Sequence, residues 1–119
     1  MTEQLRLLRS GSIEVEGRQY ENDIVIEGGR VRKRKKKPSK PYRGEFGHTP
    51  LSADEEVPWG GGRLIIGTGA YGSLPIMPQV LEEARRRGVD PTALPTEDAC
   101  RLIASLDRDE VHAILHVTC

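Results

Sequence analysis

A short apolar strand that runs directly into a glycine-rich loop constrains the fold of this chain most. The segment is Arg63–Ile76, RLIIGTGAYGSLPI, in which Leu64–Ile66 is followed at once by Gly67–Gly69 and then by Gly72. This pattern predicts a buried strand with a tight loop at its carboxyl end. Open α/β sheets bind ligands at that end of their strands, so the loop marks a candidate binding place without naming the ligand.

The residues after this loop alternate between helix and strand patterns. We predict a helix over Pro78–Arg87, a short extended segment over Val89–Leu94, a helix that begins at Thr96 with its hydroxyl as cap, and a strand over Val111–Val117. A strand, helix, strand, helix, strand order favours a parallel sheet with right-handed crossovers.

The first half of the chain has the shorter period of antiparallel strands. Apolar and polar residues alternate in Ser12–Gln19, and apolar residues are adjacent to one another in Asp23–Glu27. Gly28 begins a turn into another short strand. These residues predict a meander. The connection Pro38–Pro58 is rich in proline and glycine, and within it Ser52–Glu56 predicts one helical turn capped by Ser52.

Length and composition predict one α/β domain, residues 1–119, with a basic connection at about 33–60. The net charge of zero conceals an asymmetry, because nine of the 18 Lys and Arg residues lie between Arg30 and Arg43 with no acidic residue among them. Two cysteines do not indicate a disulfide framework. We expect no signal peptide and no membrane span, and therefore a soluble, cytoplasmic protein.

Five segments in chain order carry a resemblance to a known family. They are Asp23–Ile26 (DIVI), Leu64–Gly69 (LIIGTG), Arg87–Val89 (RGV), Thr96–Ala99 (TEDA) and Leu115–Cys119 (LHVTC). Together they resemble the Mth-domain proteins, a small family that includes the adipogenesis-associated Mth938-type domain protein and mitochondrial complex I assembly factor 3. The matched segments span nearly the whole chain.

The resemblance implies a three-layer domain with a mostly parallel central sheet, two main helices on one face and the N-terminal β-hairpin or meander layer on the other. Members are mostly of unknown biochemical function. Some are linked to assembly of respiratory complex I and others to cell differentiation, and the family offers no catalytic residues to carry over. The chain departs from the family in the Lys-rich stretch Lys33–Lys40 and in Leu51–Gly62, which leaves room for one helical turn at most.

The glycine-rich loop is the candidate ligand site, because its glycines allow close backbone approach and exposed N–H groups that would cradle an anion. The spacing GTGAYG matches GxGxxG, but Pro75 and Pro78 delay the helix that a dinucleotide site needs, and the P-loop lysine is missing. A purely structural turn is the alternative. The candidate ligand-binding residues are Gly67, Thr68, Gly69, Tyr71, Gly72, Ser73 and His116.

The basic run is the second candidate site, and we expect it to form an exposed basic edge. It would bind an acidic protein or nucleic acid, although a solvated edge is the common alternative. Without interleaved aromatic residues, sequence-specific RNA recognition is not expected. The candidate residues are Arg32, Arg34, Lys35, Lys36 and Lys37.

The histidines and cysteines do not complete a metal or catalytic site. His112 and His116 share a strand face, but with Cys119 they would still need a fourth ligand, so we predict no metal and no cofactor. The carboxylate of a terminal Cys119 would oppose thiolate formation, and we predict no catalytic residue. His48 is expected to approach the same region as His116 from the long connection.

Three functions follow, of which the first is preferred. The first is a non-enzymatic interaction or assembly module with an unknown protein partner, and an open hairpin edge would allow a dimer. The second is a small-molecule or anion-binding protein, or an enzyme, that uses the loop 67–73. The third is non-specific nucleic-acid binding through residues 30–43.

Overall fold

The structure, a computed structural model, describes residues 5–9 and 11–118. Within these residues, two sheets and three α-helices form the domain. The strands are β1 (Leu5–Arg9), β2 (Ser12–Val15), β3 (Arg18–Tyr20), β4 (Ile24–Glu27), β5 (Arg30–Lys33), β6 (Arg63–Thr68), β7 (Asp90–Leu94) and β8 (His112–His116). The helices are α1 (Arg43–Phe46), α2 (Pro78–Arg86) and α3 (Thr96–Ala104), with 3₁₀ segments at Lys37–Tyr42 and Arg108–Glu110.

The central sheet has five strands in the order β5-β4-β8-β6-β7, and β1-β2-β3 form a separate antiparallel sheet. In the central sheet β4 pairs antiparallel with β5 and β8, whereas β6 pairs parallel with β8 and β7. The expectation of a mostly parallel sheet is therefore wrong, and the sheet is mixed. The reason is that the β4–β5 hairpin, which the sequence pattern placed in the meander layer, joins the central sheet beside β8.

Alternate residues of the central strands face two separate cores. Ile65 of β6 packs in one core with Ile103 of α3 and with the β1–β3 sheet. Its neighbours Leu64 and Ile66 pack in the other core with Val80 of α2. The two main helices thus lie on opposite faces of the sheet, which corrects the expectation that they share one face.

The order of the strands explains why the helices separate. The crossover from β6 to β7, which contains α2, moves outwards along the sheet, and the crossover from β7 to β8, which contains α3, returns past β6. Crossovers of the same right-handed sense that move in opposite directions place their helices on opposite faces. The direction therefore reverses at β7, and the loops at the carboxyl ends of β6 and β8 are left side by side.

The long connection packs onto the body of the domain. Its helical segments lie at residues 37–46. At Ser52–Glu56 a single turn forms, in which the Ser52 carbonyl accepts the Glu55 N–H at 3.3 Å and the Ser52 hydroxyl accepts the Asp54 N–H at 3.3 Å, as the predicted cap requires. Leu51 exchanges backbone hydrogen bonds of 2.9 Å with Pro75 and Met77 beyond the glycine-rich loop. Among the described residues no helix is both long and apolar enough to traverse a bilayer.

Candidate functional site

A basic cavity of about 280 Å³ lies at the carboxyl ends of β6 and β8. Its lining consists of Lys36, Lys40, Arg43, His48, Thr49, Ser73, Leu74, His116 and Thr118. These residues supply three permanent cations, two imidazoles and three hydroxyl groups, and the described lining contains no carboxylate. Such a surface attracts and hydrogen-bonds anions.

One continuous helical segment presents the three cations. Lys36 precedes the 3₁₀ helix, Lys40 lies within it, and Arg43 begins α1. Their spacing of four and three residues puts side chains on one side of a helical segment. The basic run therefore does not form a uniformly charged edge, because its second half turns part of its charge towards the cavity.

A buried ion-pair network holds this segment against the sheet. Arg34, whose side chain is 1% exposed, donates from Nη1 to Asp23 Oδ2 at 2.8 Å and from Nη2 to Glu55 Oε2 at 2.7 Å. Glu55 also accepts a short hydrogen bond from the Ser39 hydroxyl, which lies 2.7 Å from that of Ser52. Because Ser39 belongs to the 3₁₀ helix, the network fixes the place of the neighbouring lysines.

Asp23 connects this network to the cavity. Its Oδ2 lies 2.8 Å from His116 Nδ1, its Oδ1 accepts the Val117 N–H at 3.0 Å, and His116 Nε2 lies 3.0 Å from Thr118 Oγ1. Burial alone would raise the pKa of Asp23, but the hydrogen bond and the charge of His116, the hydrogen bond from the Val117 N–H and the positive charge of Arg34 outweigh it and hold that pKa at about 2. Asp23 is therefore an ionised carboxylate at neutral pH.

The glycine-rich loop is closed by its own protein contacts. The Gly69 N–H donates to Thr96 Oγ1 at 2.8 Å, the Ala70 N–H to the Thr118 carbonyl at 2.7 Å, and the Leu74 N–H to the Thr68 carbonyl at 2.9 Å. These three groups are therefore not the anion cradle that the loop pattern suggested. Thr96 is also not the predicted helix cap, since its hydroxyl donates to the His116 carbonyl at 2.6 Å.

The structure divides the predicted ligand-binding residues into two groups. Ser73 and His116 line the cavity. Thr68 is buried and donates to the Leu94 carbonyl, while Tyr71 is 79% exposed. Gly67 lies where a Cβ atom would come within 2.8 Å of Leu115, so close packing requires the absence of a side chain there. The other two loop glycines, Gly69 and Gly72, have positive φ angles of 105° and 70°.

The predicted basic binding residues also separate. Arg34 is buried and fully engaged, so its prediction as an exposed polyanion-binding residue is wrong, because Asp23 and Glu55 draw it inside. Arg32 donates to the Glu56 carbonyl at 2.6 Å, and Lys35 Nζ lies 3.5 Å from the Glu56 carboxylate. Lys36 lines the cavity and Lys37 is exposed.

No three His, Cys, Asp or Glu residues within the described part of the chain lie close enough to hold a metal ion. His112 and His116 occupy opposite ends of β8. Burial raises the pKa of the Cys100 thiol to about 12, so this cysteine is a packing residue at neutral pH. Cys119 lies outside the described residues.

Sequence reasoning missed several residues around the cavity. The four-and-three spacing of Lys36, Lys40 and Arg43 was visible in the sequence once a helix was assumed for the connection. Asp23 and Glu55 carry no such pattern, because their roles depend on distant residues. Their common partner Arg34 lies 11 positions from Asp23 and 21 positions from Glu55.

Solved structures with this fold are known. A conserved hypothetical protein from Pyrococcus horikoshii OT3, PH1505, is similar at a TM-score of 0.78 and 26% sequence identity, over 97% of this chain and 98% of that one. A protein called MT938 is similar at a TM-score of 0.69 and 28% identity, over 99% of this chain and 100% of that one.

An outer membrane protein from Bartonella henselae shares the fold alone. Its TM-score is 0.65 at 12% identity, over 99% of this chain and 97% of that one. No protein-family model and no curated protein matches the sequence. The comparisons thus support the fold over nearly the whole chain. PH1505 is a conserved hypothetical protein, so the likeness to it names no biochemical activity.

Proposed function

We propose that this chain is an Mth938-type domain that binds a small anionic group in the cavity at the carboxyl ends of β6 and β8. The family assignment is supported by the 28% identity to MT938 over the full length of both chains. It is also supported by the placement of two matched motifs. LIIGTG lies on β6 and directly after it, and the Leu115–Thr118 part of LHVTC lies on the neighbouring strand β8 and directly after it.

One observation carries the binding proposal, namely the convergence of three cations on a cavity that has no acidic residue in its described lining. Elsewhere in the basic run, carboxylates pair with several of the cations, as Glu55 does with Arg34 and Glu56 with Lys35. Lys36, Lys40 and Arg43 would gain their counter-charge from a ligand. Hydrogen bonds between charged groups are about twice as strong as neutral ones.

The size of the cavity limits the ligand. A volume of about 280 Å³ is at or below the lower end of the roughly 300–1,000 Å³ that small-molecule sites occupy. Phosphate, sulfate or a small carboxylate fits this space, and a dinucleotide does not. The hydroxyl groups of Thr49, Ser73 and Thr118 supply neutral hydrogen-bond donors for the remaining anion oxygens.

The same chemistry supports an interaction or assembly role. A carboxylate on an acidic segment of a partner protein would seat in the cavity, with the exposed Lys37 beside it for a second acidic residue. Non-specific nucleic-acid binding is less well supported, because Arg32, Arg34 and Lys35 of the basic run already contact Glu or Asp residues.

Titration calorimetry with inorganic phosphate and with 4-hydroxybenzoate tests the proposal. We expect saturable binding to one site that weakens as salt is added. The variant Lys36→Gln should raise Kd by roughly tenfold, the equivalent of about 1.4 kcal/mol. Lys37→Gln is the matched control, because Lys37 adjoins Lys36 but does not line the cavity. Equal effects of both variants, or no saturable binding, would contradict a defined site.

A further inference from the structure

We propose that Asp23, His116 and Thr118 form a relay for acyl transfer, and that the cavity hydrolyses small esters that carry an anionic group. Thr118 is the nucleophile, His116 the base and Asp23 the positioning residue. The inference rests on the proposed function in one respect only. The anionic group of the ester would bind to Lys36, Lys40 and Arg43, as proposed above.

The hydrogen bonds of His116 fix the direction of the relay. An ionised carboxylate only accepts hydrogen bonds, so His116 Nδ1, at 2.8 Å from Asp23 Oδ2, carries the proton. In the neutral ring Nε2 then has the lone pair, and it lies 3.0 Å from the Thr118 hydroxyl. That hydroxyl therefore donates to Nε2, as a nucleophile does to its base.

The parts of the relay differ in exposure as the chemistry requires. The side chain of Asp23 is 4% exposed and that of His116 is 15% exposed, whereas Thr118 is an exposed residue on the cavity wall. The orienting group is thus inside, the base is partly covered and the nucleophile is open to a substrate. A nucleophile, a base and a third group that orients the base are the geometric criteria for such a site.

Asp23 is itself held by two further donors. Arg34 Nη1 donates to Oδ2 at 2.8 Å and the Val117 N–H donates to Oδ1 at 3.0 Å. These bonds fix the plane of the carboxylate and hence the plane of the imidazole. If His116 served only to link β4 to β8, the contact of its Nδ1 with Asp23 would be enough. A second contact, between Nε2 and the Thr118 hydroxyl at the cavity, would not be needed.

The reaction balances without a further reactant except water. Thr118 Oγ attacks the ester carbonyl carbon and its proton moves to His116 Nε2. The bond from this carbon to the alcohol oxygen breaks, and the proton on Nε2 passes to the leaving alcohol. Water then attacks the acyl group on Thr118 and gives its proton to Nε2. The bond to Oγ breaks, Oγ takes that proton back, and a carboxylic acid is released.

The test compares 4-acetoxybenzoate with its neutral methyl ester, methyl 4-acetoxybenzoate, and follows release of the phenol by absorbance. We expect the anionic ester to be hydrolysed with saturation and with a higher kcat/KM than the neutral ester. Thr118→Val and His116→Gln should lower kcat by about 100-fold or more, and Thr118→Ser should retain turnover. Thr92→Val, in β7 and outside the cavity lining, is the matched control and should leave the rate unchanged.

Two further measurements separate catalysis from folding and from binding. Peptide mass spectrometry of protein quenched during turnover should find an acetyl group on Thr118. Asp23→Asn should lower kcat with little change in KM. A variant that only loosens the fold would instead lower the unfolding temperature, without a selective loss of kcat. Thermal unfolding of each variant provides that comparison.

Each outcome decides between the proposals. Binding of 4-hydroxybenzoate without ester hydrolysis above the buffer rate overturns the relay and leaves the anion site intact. Hydrolysis that survives Thr118→Val also overturns the relay, since Thr118 would then not be the nucleophile. Absence of both binding and hydrolysis overturns the proposed function together with the relay.

Discussion

Arg34 and Glu55 form a two-point ion pair inside the domain, with Arg34 Nε 2.8 Å from Glu55 Oε1 and Nη2 2.7 Å from Oε2. Their side chains are 1% and 3% exposed. The pair joins the residue after β5 to the connection that carries the cavity lysines. Because a buried charge is costly when it stands alone, the two residues stabilise the fold only together.

Replacing Arg34 by Met should therefore destabilise the protein strongly. The variant leaves two carboxylates, Asp23 and Glu55, buried without their cation, and we expect a loss of about 3–5 kcal/mol in the free energy of unfolding. Urea unfolding measures it. Arg32→Met is the control, since the Arg32 ion pairs with the Glu27 and Glu56 carboxylates are 3.9 and 4.0 Å long, and the side chain is 31% exposed. It also loses a hydrogen bond to the Glu56 carbonyl but leaves no buried charge, so it should cost about 1 kcal/mol or less. Equal losses would argue against the buried network.

Acid should remove part of the stability through Asp23. The folded state holds the pKa of this carboxyl at about 2, against an ordinary value of 3.8 in the unfolded chain. A lowered folded pKa gives stability that is fully present above the unfolded value and is lost as the pH falls from about 4 to 2. We expect a contribution of about 2 kcal/mol to vanish over this range.

Unfolding curves at several pH values test this expectation. The variant Asp23→Asn cannot titrate at this position, so its stability should depend less on pH between about 5 and 2. An unchanged dependence in the variant would mean that other carboxylates cause the acid sensitivity.

A methyl group at position 67 should disturb the junction of three elements. A Cβ at Gly67 would lie 2.8 Å from Leu115 Cδ2 and 2.9 Å from Thr96 Oγ1. We expect Gly67→Ala to cost about 1–3 kcal/mol, the usual range for overpacking. Gly62→Ala is the matched control, because nothing lies within 4 Å of the added atom. If thermal unfolding gives the two variants equal stability, the close packing at position 67 is not real.

Removing the hydroxyl of Thr96 should loosen the glycine-rich loop. Thr96→Val keeps the shape of the side chain but leaves the Gly69 N–H and the His116 carbonyl without this partner. Such a loss typically costs about 1–3 kcal/mol. Amide hydrogen exchange at Gly69 should accelerate, and Thr92→Val, which alters a β7 residue, should leave that amide protected. Unchanged exchange in Thr96→Val would mean that the hydroxyl does not hold the loop.

The elements themselves were largely predictable, because their apolar periodicity is strong. The predicted helix Pro78–Arg87 and the strand over Leu64–Ile66 agree with α2 and β6 to within about two residues. The arrangement of the helices was not predictable from periodicity. An apolar stripe indicates that one side of a helix is buried. It does not indicate on which face of the sheet the helix packs.

The candidate site was predicted in part and for a physical reason. Ser73 and His116 were found because strand ends and loops in this kind of fold gather at one place. The prediction that Arg34 is exposed is wrong because membership of a basic run favours exposure, and only the distant Asp23 and Glu55 make burial of this arginine favourable. Charge partners separated by 11 and 21 positions leave no pattern in a single sequence.

The position of β8 between β4 and β6 has a consequence for synthesis on the ribosome. Residues 112–116 leave the exit tunnel after every other strand of the central sheet, yet they fill its middle. Until then a nascent chain presents two apolar strand edges, one on the β4–β5 hairpin and one on β6, with no neighbour between them. Such edges invite pairing with other chains, so the growing polypeptide is prone to aggregation until residues 112–116 have left the tunnel and filled the gap.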